Sequence, residues 1–158
     1  MADNKKSGNN DQQQQQIFAI NVQYTKDFSF ENVTPASHIT SNKQPEIDAQ
    51  IKVDVEDADK AKGLYNVSLI VNIHAKIDSK TMFILDLNYR GEFTISGFPD
   101  DLMGAILYIE CPRLLFPFAR NIVATAVSEG GFPPLYLAPV NFAELYQQQL
   151  DSKGKTLQ

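Results

Sequence analysis

Two histidines, one cysteine and a scatter of serines are the side chains of this 158-residue chain best suited to nucleophilic or metal chemistry. Spacing argues against each of them. His38 lies in a loop-like stretch and His74 on the polar side of an alternating one, and Cys111 has no second cysteine, so no local metal-ligand pair exists. Ser29 and Ser128 have no base at a readable spacing. The adjacent Gly130 and Gly131 follow an apolar helical stretch instead of opening one, the wrong order for cradling phosphate. Asn32-Val33-Thr34 and Asn66-Val67-Ser68 match the glycosylation triplet, a frequent coincidence. Cys111, beside Pro112 in an apolar run, reads as a small buried hydrophobe. The chain offers binding chemistry rather than catalysis, with no cofactor and no metal expected.

With 43% hydrophobic and 21% charged residues, the composition suits one globular domain. A net charge of -5 excludes nucleic acid as the main partner, since phosphate needs a basic face. Thirteen acidic residues fall between Asp27 and Asp101, so an acidic surface facing a basic partner is the electrostatic expectation. A single cysteine and the lack of a charged-then-apolar leader favour the reducing cytoplasm.

Apolar surface has to be positioned by elements that the hydropathy pattern delimits. Residues 1–16 are polar and glutamine-rich and read as a disordered tail; residues 17–150 form the folded domain, and residues 151–158 a flexible C-terminal tail. A first strand begins at Ile17, with Phe28 and Phe30 on one face and Asp27, Ser29 and Glu31 on the other. Residues 32–45, bounded by Pro35 and Pro45, are too long for a hairpin and predict a crossover. Period-two patterns then predict strands over 46–56, 64–77 and 81–95. In the last, Phe83, Leu85, Leu87 and Tyr89 oppose Met82, Ile84, Asp86, Asn88 and Arg90, and Gly91 marks a bulge or bend. The result is an α+β fold with a four-stranded antiparallel sheet. Asp100 is the expected cap of a long helix over 102–129 that Pro112 and Pro117 break or kink. Glu110, Arg113 and Arg120 interrupt its apolarity, so direct membrane insertion is not expected. Its apolar residues nevertheless surround most of its circumference, and one sheet covers one side. A second copy of the chain is the expected cover. A proline-rich loop and a short helix over 142–150 complete the pattern.

Two features invite a binding reading. Apolar, non-periodic segments around residues 32–45 and 132–140, with the apolar face of strand two, fit either a groove for extended apolar peptide or a closed core under long loops. Asp27, Glu31 and Asp86, with Ile84 beside them, fit either solvation or a docking patch.

The runs Tyr24-Thr25-Lys26-Asp27-Phe28-Ser29-Phe30-Glu31, Gln44-Pro45-Glu46, Cys111-Pro112-Arg113-Leu114-Leu115-Phe116-Pro117-Phe118-Ala119-Arg120 and Leu137-Ala138-Pro139-Val140-Asn141-Phe142 resemble the SecB family of protein-export chaperones. The resemblance spans about residues 17–150. It implies a homotetramer, a dimer of dimers with long helices between two sheet layers, and no cofactor. It implies a client groove at Ile47, Ala49, Ile51, Tyr65 and Phe142 for unfolded precursor polypeptides. It places Phe83, Leu85, Leu87 and Tyr89 at subunit contacts. Asp27, Glu31, Ile84 and Asp86 fall on the patch that engages the basic, zinc-binding C-terminal tail of the SecA motor. Lys43 stands where many members have a tryptophan, and Asp86 where glutamate is more usual. The implied activity is that of an ATP-independent holdase. Its rivals are a SecB-like chaperone of a toxin-antitoxin module and a small-ligand carrier.

Overall fold

The computed structural model describes residues 14–156. Four strands, β1 (Ile17–Asn32), β2 (Glu46–Asp59), β3 (Leu64–Ile77) and β4 (Lys80–Ser96), form one antiparallel sheet in the order β1-β4-β3-β2. The crossover is confirmed: residues 33–45 carry the chain from one sheet edge to the other. The expected tail over residues 1–16 falls largely outside the described residues, and residues 14–16 lead straight into β1.

Strict alternation makes β3 and β4 the centre of the core, because the inward row of each is apolar. Val67, Leu69, Val71, Ile73 and Ala75 of β3 and Leu85, Leu87, Phe93 and Ile95 of β4 are all buried. The weak alternation of β1 has a local cause. Its pairing with β4 skips a residue at Asn21 and again at Lys26. Each bulge reverses the faces, so Phe18 and Ile20 turn inward, Val22 and Tyr24 outward, and Phe28 and Phe30 inward again. A third irregularity lies between Ala75 and Lys76 of β3, opposite Met82, which is buried beside Phe83 instead of lying on the outer face.

Gly91 keeps its register with both neighbours and is not a bulge. Its hydrogen leaves room for the helix above: a Cβ there would meet the Phe93 ring and stand 3.0 Å from Leu115.

The inner face is covered by one long helical rod, α1 (Asp100–Ala105), a π turn (Ile106–Glu110) and α2 (Cys111–Glu129). Pro99, not Asp100, occupies the cap position, and Asp100 and Asp101 sit in the first turn, where the helix dipole favours acids. The two prolines behave differently. Pro112 is buried, and the π turn lies just before it, where its ring would otherwise crowd the Tyr108 carbonyl. Pro117 stays inside α2 without a break, on the exposed side, where freed carbonyls reach water. Gly131, at φ +94, turns the chain out of the helix. By length and composition the stretch Asp100–Glu129 would suffice to cross a bilayer, yet here it lies along the sheet of its own chain.

The last helix, α3 (Phe142–Thr156), runs past Leu150, where the sequence pattern ends it. Nothing in residues 151–156 breaks a helix outright, and a polar helix needs an apolar stripe only where it is docked. Asn141 caps it, its Oδ1 accepting from the Glu144 amide at 3.1 Å. Docking uses Tyr146, stacked on Tyr108 at 5.1 Å and seated over Gly104, together with Gln149. The Gln149 amide bonds both the N–H and the C=O of Val53 on the exposed edge of β2.

Candidate functional site

The two faces of the sheet carry different chemistry. On the outer face the register puts Glu31 opposite Ile84, Ser29 opposite Asp86 and Asp27 opposite Asn88. The four residues expected to form a docking patch therefore lie in three adjacent rows of one surface. Continuing across β3 and β2, His74 and Asp48 extend the first row, and Asn72 and Gln50 the second. Asn72 donates to Asp86 at 2.7 Å and fixes that carboxylate. The His74 ring and the Thr81 hydroxyl bond at 2.9 Å. A depression of about 210 Å³ lies between Ile84, Asp86 and Asp48. Farther along the face, Arg90 is buried flat against the sheet, donating to Ser68 at 2.9 Å and pairing with Glu56 at 3.3 Å. Arg90 is thereby bound at one end, Lys52 shares the row of Asn88 and Asp27, and acids remain dominant around Asp86.

The inner face holds the apolar surface. A cleft of about 220 Å³ opens between the start of β2 and the loop after α2, lined by Pro45, Ile47, Phe83, Phe132, Pro134 and Leu135. Phe83 forms its floor, stacked on Phe30 at 5.5 Å and tilted against Phe132 at 5.1 Å. Arg120 pins the loop wall: its Nε donates to the Leu137 carbonyl at 3.1 Å and its guanidinium lies over the Tyr136 ring.

Of the expected groove residues, Ile47 and Ala49 are exposed on the inner side of β2 and Ile51 is half-buried beside them. Tyr65 and Phe142 are buried in the single chain. Tyr65 is 7% exposed at the far end of β3, and Phe142 is 3% exposed against the edge of the Phe116 ring. Phe83, Leu85, Leu87 and Tyr89, the expected subunit-contact residues, lie in one row of β4. Their row faces α2, and they are at most 6% exposed in the single chain. Elsewhere on the rod Leu102, Leu114 and Phe118 are exposed at 46%, 42% and 49%, Phe118 with its ring stacked on Tyr89 at 6.2 Å. Sequence reasoning missed this division because it assigned faces to strands but not to the helix that lies on them. The four-residue spacing of buried Cys111, Leu115, Ala119, Val123 and Val127 was the available signal.

Among the described residues no cluster of His, Cys, Asp and Glu is arranged for a metal. Burial first, and then Glu110, pushes the Cys111 thiol up to about 12, so it is neither a nucleophile nor a ligand at neutral pH.

Residues 11–153 match the family described as preprotein translocase subunit SecB. The protein-export protein SecB of Methylocella silvestris is 47% identical over 135 residues, 84% of this chain and 83% of that one. Its counterpart in Azorhizobium caulinodans is 46% identical over 138 residues, 87% and 85% of the two chains. A solved SecB-like chaperone of Mycobacterium tuberculosis, in complex with a ChAD peptide from an antitoxin, has the same fold. It superposes with a TM-score of 0.65 at 12% identity, covering 78% of this chain and 90% of that one.

Proposed function

The chain belongs to the SecB family of preprotein translocase subunits, and from that premise we propose that it is a cytoplasmic, ATP-independent holdase that delivers unfolded precursors to the SecA motor. It is a protein-export chaperone, and its work is binding rather than catalysis. The observation that carries the reading is the uncovered apolar cleft beside the exposed face of β2 at Ile47 and Ala49. An extended apolar segment laid there gains from area alone, with little demand on its sequence. The acidic outer face supports the other half of the cycle. Asp27, Glu31 and Asp86 around Ile84 suit the basic, zinc-binding C-terminal tail of the motor, on a surface separate from the clients.

The exposed apolar residues of the rod support a homotetramer. Leu114 and Phe118 stay exposed on the rod, Phe118 with its ring stacked on Tyr89 at 6.2 Å, and a second sheet-and-helix layer would cover them in a dimer of dimers. The relatives at 46–47% identity favour export over the antitoxin-guarding alternative, whose solved example shares the fold at 12%. The test is aggregation of a chemically unfolded client at one tetramer per chain. Suppression without ATP supports the holdase, and unchanged aggregation overturns it.

A further inference from the structure

One wall of the apolar cleft is held by charge. Residues 33–45 cross the molecule as a strap, tied at both ends to the β3–β4 hairpin. At the near end, the Val33 and Thr34 amides both donate to the Met82 carbonyl, at 2.9 and 3.1 Å, and the Thr34 hydroxyl donates to the Thr81 carbonyl at 2.8 Å. At the far end the tie is a single carboxylate. Asp78 pairs with Lys43 at 3.0 Å and takes a hydrogen bond from Ser41, whose oxygen accepts in turn from the Lys43 amide. The next two residues, Gln44 and Pro45, form the cleft wall facing Pro133, Pro134 and Leu135.

The turn that presents this carboxylate is built at a conformational cost. Asp78 and Ser79 both adopt left-handed backbone, at φ 47 and 65, where glycine is the easier residue. Aspartate tolerates that region, and it supplies a charge that glycine lacks. Hydrogen bonding from Ser41, and then from Lys43, holds its carboxyl below the usual range, so it stays ionised at neutral pH. The Lys43 side chain is 78% exposed. An ion pair so open to solvent is weak and readily screened, which makes the tie reversible.

We propose that Asp78 is a positioning residue for client capture: by holding Ser41 and Lys43 it sets the strap wall of the cleft, and ionic strength loosens that wall. This rests on the cleft being the client site. It makes Lys43 a latch where the family resemblance leads one to expect an aromatic wall.

The probe is a labelled, neutral, apolar peptide, so that salt acts on the protein and not on the ligand's charge. Salt ordinarily strengthens apolar binding. Here affinity falls roughly three- to five-fold from low to high salt, the range an exposed pair supports. Asp78→Asn keeps the turn and removes the charge; it and Lys43→Gln bind weakly at all salt concentrations, and the double variant is no weaker than either alone. Hydrogen exchange across residues 36–44, measured without peptide, quickens in both variants and in the parent at high salt. Unchanged affinity and exchange in both variants would overturn the latch while leaving the client site intact. A parent protein that ignores the peptide at every salt concentration, even with exchange altered as expected, would overturn both.

Discussion

Cys111 shows how completely its surroundings decide a residue's chemistry. It is fully buried at the start of α2, where its thiol is pushed up from its ordinary 9.0 to about 12. The folded state therefore keeps a proton that the unfolded chain releases above pH 9. The thiol's contribution to stability is whole below pH 9 and is lost as pH rises toward 12. Denaturant midpoints should decline over that window, and the decline should be shallower in Cys111→Ala; equal slopes would reject the assignment. Tyr89 and Tyr108, also raised by burial, act in the same direction in both proteins. On the outer face, Asp86→Lys places a cation beside Asn72 and Ile84. Binding of a zinc-loaded basic tail peptide should weaken by about ten-fold or more, with client capture unchanged, as expected when one member of a close charge pair is reversed. The face of Asp86 could be read from alternation alone. The pairings Lys43–Asp78 and Arg90–Glu56 could not, because each joins segments whose proximity only the fold creates.

At the scale of elements, the strands were largely legible because an inner and an outer face impose period two on β2, β3 and β4. β1 was blurred by its bulges at Asn21 and Lys26, which no residue type announces. The helical rod was legible as apolar and proline-interrupted, but the sequence treats Pro112 and Pro117 alike. Burial separates them: where water is excluded the ladder must be rebuilt as a π turn, whereas at the surface it need not be. α3 was read too short because residues 151–156 are polar and carry no apolar stripe, and its docking nearer the start depends on one glycine. The Tyr146 hydroxyl sits where a Gly104 side chain would be. Gly104→Ala should cost about 1–3 kcal/mol by overpacking and raise exchange in α3. Tyr146→Phe removes the obstructing oxygen, so the double variant should recover most of that loss in chemical unfolding. A double variant as unstable as the single would show that Gly104 matters for another reason.

At the scale of the whole molecule, one chain solves half of a burial problem. The sheet takes the Cys111, Leu115, Ala119 and Val123 side of the rod, and the Leu102, Leu114 and Phe118 side is left to water. Three large apolar side chains more than 40% exposed along one helical rod are a candidate surface for a partner, because scattered single exposures are ordinary but a contiguous apolar patch is not. If four copies share that row, the solution mass is about 71 kDa from 17.7 kDa subunits. Leu114→Asp with Phe118→Asp should then lower the mass by light scattering while leaving the far-ultraviolet spectrum unchanged, since neither side chain belongs to the buried core. The same variant separates assembly from capture. The cleft shares no lining residue with this row, so a dissociated chain that still binds the neutral apolar peptide would place client recognition within the single subunit. If instead peptide binding disappears with the mass, the groove must be completed by a neighbouring copy, and the cleft described here is only its inner wall.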